Sequence, residues 1–307
     1  MEACGETSSK ETPSLAKVAQ LLHVAPEEIN DIYKCTPLQE ALVSLTTKGS
    51  EAYVKRVVLS LNVRSDLARL RSAVDDVVKA TPLLRTRIVH LDELGFMQVV
   101  LAKKVEWSEA TSVDDCLKET KLNAWGIGDP LVRYTLVKDD QSNARYFVWT
   151  IHHALYDGWS FPLMVNQVCQ RYDGFDVEPA PEYKHFVQHI AQKNQNEAKE
   201  YWKSVLSGTQ STTFPALPDI SYAPAADTTV EYCCPPVPRV KGITRTALLR
   251  GAWALIMNRF HDSEDAVFGT IVSGRRETFV GIQSLMGPTV ATIPVRVRVD
   301  GGERVDN

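Results

Sequence analysis

The sequence predicts a mixed α/β fold in two lobes. Its 307 residues lie above the size at which one hydrophobic core usually stops growing, so two lobes of ordinary size are expected. Stretches with strand alternation and stretches with helical spacing follow one another, some strands in hairpins and others separated by helices. The most apolar predicted strand, at residues 146–151, runs directly into a polar loop and then a helix. Such loops often carry the functional residues of α/β proteins.

A helix with a strong start signal lies early in the first predicted lobe, residues 14–175. Thr36-Pro37-Leu38-Gln39 combines a capping threonine, a proline at the first helical position and a glutamine that completes a capping box. The apolar positions of this helix predict its buried stripe: Leu38, Ala41, Leu42 and Leu45. The polar residues 1–13, which precede the lobe, are expected to be disordered.

Further elements follow in order along both predicted lobes. In the first lobe the patterns predict a helix at 14–22, a strand at 53–63, a helix capped by Ser65, a hairpin at 85–101, a helix at 112–125 and strands at 131–137 and 145–151. In the second lobe, residues 176–307, they predict helices at 182–191, 196–206 and 246–260 and a strand that begins near 267 and runs into a glycine turn. Six prolines mark residues 209–240 as a partly extended connection. The helix at 246–260 is expected to bury Leu248, Leu249, Ala252, Trp253, Leu255 and Ile256.

Composition and charge argue against several classes of function. The 34 basic and 38 acidic residues give a net charge of −4, and no basic cluster is interleaved with aromatic residues, so neither nucleic acid nor a membrane is an expected partner. The longest apolar helical stretch is too short to span a bilayer, and the N-terminus has no signal-peptide core. Six cysteines without Cys-x-x-Cys spacing are expected to be reduced thiols, which predicts a cytoplasmic protein.

The loop after the apolar strand carries the residues His152-His153-Ala154-Leu155-Tyr156-Asp157-Gly158-Trp159-Ser160. Adjacent strand residues point to opposite faces, so His152 and His153 cannot both line one cavity, which favours one working imidazole over a two-histidine metal site. Asp157 is close enough to brace the loop, and Gly158 leaves room for a ligand to approach. Ser160 is placed to cap the following helix. The local pattern leaves open a plain buried histidine beside an ordinary Asp-Gly turn.

This loop resembles the His-His-x-x-x-Asp-Gly signature of nonribosomal peptide synthetase condensation domains, and its Ala-Leu-Tyr-Asp-Gly filling is most similar to fungal members. Further segments resemble family motifs in the expected order: 33–39, 84–86, 201–208, 267–276 and 286–297. Together they cover nearly the whole chain. Two positions depart from the family: Thr81-Pro82 replaces a His-Glu pair, and Ala291 stands where the family has an asparagine. Arg85, in the second motif, is expected to be structural, as the partner of a carboxylate.

The resemblance implies a two-lobed fold like that of chloramphenicol acetyltransferase, with mixed sheets. Complete condensation domains continue past this length, so the second lobe is expected to be incomplete and the chain truncated. The implied activity is amide (peptide) bond formation between a donor acyl or peptidyl thioester and an acceptor aminoacyl thioester, both held on carrier proteins.

The resemblance also implies the site. His153 would act as a base or as a hydrogen-bonding group that orients the amine, Asp157 as an ion-pair brace, and Gly158 would place its N–H near the thioester oxygen. Four residues would support them: His152, Arg275, Trp159 and Ser160. Of these, Arg275 would be the ion-pair partner of Asp157.

The implied partners are the upstream donor and downstream acceptor peptidyl carrier domains and a neighbouring adenylation domain. The 4'-phosphopantetheine group would arrive on the carriers, and no directly bound cofactor is expected. His185 and His189 share a predicted helix face but lack a third ligand, so no metal site is predicted. Two alternatives stay open. One is an ester-forming or cyclising terminal enzyme, although fungal cyclising relatives usually have serine at the position of His152. The other is a non-catalytic truncated module that docks carrier proteins. The alanine at position 291 keeps this alternative open.

Overall fold

The computed structural model describes residues 13–47, 53–122, 125–139, 144–209, 214–219, 222, 225–237, 239–261 and 263–299. Apart from Pro13, the predicted disordered segment 1–13 lies outside these residues. The chain forms two compact units, of which the first contains residues 1–193 and 273–291 and the second contains 194–272 and 292–307. The predicted lobe boundary after residue 175 and the predicted truncation stay predictions.

Helices and strands alternate along the first unit as the sequence indicates. Its strands are β1 (Ile29–Lys34), β2 (Val54–Leu61), β3 (Thr86–Leu91), β4 (Gly95–Leu101), β5 (Trp107–Ala110), β6 (Val132–Lys138) and β7 (Arg145–His152). Its helices are α1 (Leu15–Leu22), α2 (Pro37–Thr46), α3 (Leu67–Ala80), α4 (Val113–Leu122), α5 (Ser160–Asp173) and α6 (Tyr183–Ala191). Helix α4 ends before Trp125, the residue at which the sequence predicted its end. In the part of the chain that the structure describes, no helix is both long and apolar enough to cross a membrane.

Two sheets form the framework of the first unit, and together they confirm the predicted mixed α/β class. One sheet is antiparallel, in the order β1-β4-β3, and the other has the order β2-β7-β6-β5 with β5 parallel to β6. Strand β7 pairs with β2 on one side and β6 on the other, and its residues 147–152 are all buried. A strand that is central and covered on both faces needs a continuous apolar run, which explains the run seen in the sequence.

One large hydrophobic cluster joins the second sheet to α3 and α5. Val74 and Val77 of α3, Met164 of α5 and Trp149 of β7 belong to it, and each is at most 1% exposed. Burial of a side chain of this kind contributes roughly 1.5–3 kcal/mol to folding. This cluster holds the C-terminal end of β7, and therefore the loop that follows it, in a fixed position.

Helix α2 confirms its predicted start but not its predicted buried stripe. The Thr36 hydroxyl accepts the N–H of Gln39, and the Gln39 side chain accepts the N–H of Thr36 at 3.0 Å. Leu45 is 45% exposed, however, and the buried residues are Gln39, Leu42, Val43 and Thr46. The helix is thus rotated from the expected orientation, because its buried polar residues have partners that the sequence alone did not reveal.

The start of helix α3 corrects another prediction. Asp66, rather than Ser65, caps this helix, and its carboxylate accepts the N–H groups of Ala68 and Arg69 at 2.9 and 3.1 Å. A carboxylate at this position also interacts favourably with the helix dipole.

The second unit contains α7 (Gln195–Leu206), α8 (Arg245–His261), β8 (Asp265–Val272) and most of β9 (Ala291–Arg298). Strands β8 and β9 form a two-stranded sheet. The predicted buried stripe of α8 is wrong. Its buried residues are Ala254 and Met257, while Leu249, Trp253, Leu255 and Ile256 are between 42% and 58% exposed. In the described part of this unit, Ala254 and Met257 pack with Ala266 of β8.

Candidate active site

The residues 152–160, called the histidine loop here, connect the end of β7 to the start of α5. After His152 the backbone makes one 3₁₀ turn over residues 153–155. The N–H of His152 donates to the carbonyl of Leu131 at 3.0 Å, and the N–H of His153 donates to that of Tyr53 at 2.7 Å. The residues that precede β6 and β2 therefore fix the backbone of both histidines.

The imidazole of His152 is fully engaged inside the protein. It is 1% exposed, its Nδ1 accepts the N–H of Ala154 at 3.0 Å, and its Nε2 lies 2.9 Å from the hydroxyl of Thr46. Because Nδ1 accepts a backbone N–H, Nε2 carries the proton of the neutral ring and donates to that hydroxyl, which also lies 2.9 Å from the carbonyl of Leu42. Burial, and to a lesser degree the neighbouring His153, lowers the pKa of His152 from 6.5 to about 4.

The imidazole of His153 has different surroundings. It is half-buried and stacks on the ring of Tyr156, with centroids 4.8 Å apart and planes 16° from parallel. Its Nδ1 is buried and has no hydrogen-bond partner within the described part of the chain. A buried nitrogen without a partner is costly, and contact with a bound molecule falls to the part of His153 that remains accessible.

Asp157 is completely buried, and donors surround its carboxylate. Oδ1 accepts the N–H groups of Trp159 and Ser160 at 3.1 and 2.7 Å, and Oδ2 accepts the N–H of Thr289 at 2.9 Å. Burial raises the pKa of Asp157, but the hydrogen bonds from Thr289 and Ser160 and the charge of Arg275 outweigh burial and hold the pKa below 3.8. A carboxylate held charged in this way braces the loop and is a poor proton acceptor.

Ser160 does not cap α5 as the sequence predicted. It is the first residue of the helix, and its hydroxyl instead accepts the N–H of Asp157 at 2.9 Å. The Asp157 carboxylate takes the capping role, because it accepts the N–H of Ser160. Trp159, at the N-cap position, is half-exposed, and its indole N–H donates to the carbonyl of Gln283 at 3.0 Å.

Arg275 lies beside Asp157, the residue with which it was predicted to pair. Its Nη2 is 3.3 Å from both carboxylate oxygens, and the side chain is 4% exposed. The guanidinium also donates to three carbonyls of the segment 273–291, called the return segment here: Ile282 at 2.6 Å, Leu285 at 2.8 Å and Gly287 at 2.9 Å. Both partners belong to the first compact unit, so the pair fastens the return segment to the histidine loop.

Two residues of this arrangement were missed at the level of sequence. Thr289 donates its N–H to Asp157 at 2.9 Å, and its hydroxyl, which lies 3.3 Å from the same carboxylate, donates to the carbonyl of Ser273 at 2.6 Å. Gln39 was assigned only to a capping box, yet it is fully buried and its amide donates to Gln98 and to the carbonyl of Ala154, both at 2.9 Å. Neither contact has a local signal, because the partners are 59 to 132 residues apart.

Gly158 is exposed, and nothing inside the protein requires it to be glycine. Its φ angle is outside the left-handed region, and a Cβ built on it would meet no atom within 4 Å. Neither backbone strain nor packing therefore accounts for the residue. The open space beside it is available to a molecule that approaches the histidine loop.

Other predicted positions lie apart from the histidine loop. Arg85 donates to the carbonyls of Val78, Lys79 and Leu101 rather than to the expected carboxylate. His189 hydrogen-bonds Glu277 at 3.2 Å, and Ala291 is the exposed first residue of β9.

Comparison with known proteins gives a consistent result. A protein-family model described as Condensation domain matches residues 29–307. The peramine synthetase ppzA of the fungus Metarhizium rileyi is 38% identical over 286 residues, which cover 92% of this chain and 10% of that protein. The nonribosomal peptide synthetase ungA of Aspergillus violaceofuscus is 40% identical over 302 residues, which cover 98% of this chain and 3% of that protein. The chain thus spans a small part of the length of these relatives.

Solved structures share the fold. The crystal structure of a protein called SeMet-CT superposes with a TM-score of 0.79 at 24% identity, covering 96% of this chain and 68% of that one. The condensation domain of the monacolin K polyketide synthase MokA superposes with a TM-score of 0.63 at 15% identity, covering 88% of this chain and 68% of that one.

The fold and the histidine loop thus define an α/β domain of the chloramphenicol acetyltransferase-like class, with mixed sheets. The chain belongs to the condensation-domain family of nonribosomal peptide synthetases, whose members are in general acyltransferases. The resemblance found in the sequence is confirmed, including its fungal character.

Proposed function

We propose that this chain forms an amide bond between a donor acyl or peptidyl thioester and an acceptor aminoacyl thioester. The observation that carries the proposal is the imidazole of His153, which is only half-buried, while that of His152 beside it is buried and fully engaged. Membership of the condensation-domain family supports the same reaction class.

In the proposed reaction the acceptor amine attacks the carbonyl carbon of the donor thioester. A C–N bond forms, the C–S bond breaks, and the proton lost by the amine reaches the departing sulfur to give a free thiol. His153 holds that proton between the two steps or orients the amine by a hydrogen bond. The N–H of Gly158 is our candidate donor to the thioester oxygen.

Positioning is expected to contribute more than proton transfer. Holding two reactants in line is worth on the order of 7–11 kcal/mol, whereas general acid–base catalysis adds about 10²–10⁴-fold, or roughly 3–5 kcal/mol. Asp157 and Arg275 act in this scheme as positioning residues that hold the loop. They touch each other and the return segment, and neither is assigned a contact with substrate.

The substrates in this scheme arrive on partner domains. An upstream carrier domain presents the donor and a downstream carrier domain presents the acceptor, each on a 4'-phosphopantetheine arm, and an adjacent adenylation domain loads the acceptor carrier. The proposed location is the cytoplasm. The synthetases that match this chain support the carriers and the adenylation domain as partners.

Reconstitution with loaded carriers tests the proposal. The full chain is mixed with donor-loaded and acceptor-loaded carrier proteins, and the products are followed by mass spectrometry. We expect amide from the unchanged chain and a rate about 10²–10⁴-fold lower from His153→Ala, because proton management is lost.

His90→Ala is the matched control, since His90 is an exposed histidine on β3, away from the histidine loop, and its loss should leave the rate unchanged. If the product is an ester or a macrocycle, the chain catalyses that related acyl transfer instead of amide synthesis. Carrier binding without any product would overturn catalysis by this chain, and equal rates for both variants would overturn the role of His153.

A further inference from the structure

A cavity separate from the histidine loop lies in the first compact unit. It has a volume of about 240 Å³ and is bordered by the end of α3, the start of β3, the loop after β4 and the start of β6. Val78, Leu84 and Val132 contribute apolar walls. None of the residues 152–160 and neither Arg275 nor Thr289 lines it. A cavity of this size accommodates a small ligand or the end group of a larger one.

The charge of this cavity differs from that of the rest of the chain. Five cationic side chains line it, namely Arg85, Arg87, Lys103, Lys104 and Arg133. Among the described residues that line it, Glu106 is the one with a carboxylate, and it forms an ion pair with Lys103. The chain as a whole carries a net charge of −4, so the positive charge is concentrated locally. We call this cavity the basic cleft.

Backbone carbonyls accept hydrogen bonds from two arginines of the basic cleft, Arg85 and Arg87. Arg85 is half-buried and donates to the carbonyls of Leu101, Lys79 and Val78, the last at 3.2 Å. Burial lowers the pKa of Arg85, although the negative charge of Glu182 acts in the opposite direction. Arg87, also half-buried, donates to the carbonyl of Gly128 at 3.3 Å. Neither has a carboxylate within ion-pair distance in the described ranges.

Arg133 approaches the cleft from the other sheet. It is half-buried and lies 5.1 Å from the ring of Trp125, and the charges of Asp129 and Glu119 act on it. Three half-buried guanidinium groups thus line one small cavity. For Arg85 and Arg87, which have no ion pair with a described carboxylate, partial burial of the positive charge is unfavourable unless an anion offsets it.

We propose that the basic cleft binds a small organic oxyanion, a phosphate or carboxylate group carried on a short apolar chain. Guanidinium groups offer paired N–H donors that match the oxygens of both groups, and the walls of Val78, Leu84 and Val132 would accept the apolar part. This site lies outside the amide-forming scheme, and its ligand is distinct from the thioester substrates.

Titration of the full chain with defined probes tests this site. The probes are n-butyl phosphate and pentanoate, with butyltrimethylammonium as a cation of similar size, and binding is followed by calorimetry and by NMR of the protein amides. We expect saturable binding of at least one anion with a dissociation constant in or below about the millimolar range, weakened by added salt, and none of the cation. Which anion binds more tightly distinguishes a phosphate source from a carboxylate source.

Variants connect the binding to the cleft. Arg87→Gln and Lys104→Gln should each weaken the anion by about tenfold or more, because each removes a positive charge that faces the ligand. Arg145→Gln is the matched control, since Arg145 is also half-buried and donates to one carbonyl, that of Val63 at 3.4 Å, but lies outside the cleft. Circular dichroism of each variant verifies folding, and the exposed Lys104 serves if Arg87→Gln fails to fold.

Three outcomes would overturn the site. The first is that neither anion shows saturable binding up to about 10 mM. The second is that Arg145→Gln weakens anion binding as much as the cleft variants do. The third is that an acidic peptide binds while neither small anion does. The last result would make the cleft a protein-docking surface. All three are independent of the amide assay, so the two proposals fail separately.

Discussion

His152 and His153 are adjacent in the chain, yet their imidazoles have different partners. His152 hydrogen-bonds through both nitrogens, whereas His153 stacks on Tyr156 and leaves Nδ1 without a partner among the residues that the structure describes. The alternation of side chains at the end of a strand produces this difference. One ring is therefore structural, and the other is available for chemistry.

The buried state of His152 predicts a pH-dependent stability. Its pKa is about 4 in the folded protein and about 6.5 in the unfolded chain, so between these values the unfolded chain binds a proton that the folded protein does not. We expect the free energy of unfolding to fall as the pH drops from 6.5 to 4, with His152 contributing on the order of 3 kcal/mol. Urea unfolding at several pH values, compared with His152→Gln, isolates this share. Parallel profiles for the two proteins would contradict it.

Replacement of Gly158 by alanine should lower the activity without lowering the stability. A methyl group there meets no protein atom within 4 Å, and the backbone angle is permitted for alanine, so Gly158→Ala should leave the melting temperature nearly unchanged. The same methyl group would occupy the space that an approaching thioester needs, and we expect the amide rate to fall by about tenfold or more. Gly251→Ala is the control, since its position is equally open but lies on α8. An unchanged rate in Gly158→Ala would show that substrate does not approach there.

At the scale of single elements, the sequence identifies helices better than it identifies their buried faces. The capping box of α2 is a local feature and is present as predicted. The buried face of α2 includes Gln39 and Thr46, whose partners are Gln98, Ala154 and His152. An apolar stripe is a reliable guide only where polar residues have no buried partners, and here they have several.

The start of α3 gives a prediction of its own. Asp66 accepts two backbone N–H groups, whereas the Ser65 side chain has no hydrogen bond to any of the described residues. Asp66→Ala should therefore destabilise the protein by about 1 kcal/mol, and Ser65→Ala by no more than a few tenths. Chemical denaturation of both variants measures the difference, and equal losses would return the capping role to Ser65.

At the scale of the whole molecule, the return segment contributes most to the site. Residues 273–291 belong to the first compact unit although the residues on both sides of them belong to the second. The segment contributes Arg275 and Thr289 to the carboxylate of Asp157. Gly287 allows the return segment to pass close to Tyr183. Its φ angle is 138°, and a Cβ built on it would lie only 2.3 Å from the ring of Tyr183.

Gly287→Ala should release the return segment. Tyr183 is buried and its hydroxyl donates to Pro288 at 2.8 Å, so the ring cannot move away cheaply. We expect a loss of at least about 1–3 kcal/mol in stability, faster proteolysis between residues 273 and 291, and a lower amide rate. Gly95→Ala is the control, because Gly95 has a positive φ of 76° but open space around it. If both variants lose the same stability, backbone strain rather than the contact with Tyr183 is responsible.

The sequence by itself determined the order of elements, the capping box at Thr36, the position of the histidine loop and the family, because each of these depends on residues close together in the chain. Only the tertiary structure decided that Asp157 caps α5, that Arg275 and Thr289 hold its carboxylate, that Gln39 supports the loop and that α8 buries Ala254 and Met257. These contacts join residues far apart in sequence or depend on what covers a helix face. No local pattern encodes them, because hydrogen bonding and burial are set by the neighbours that folding brings together.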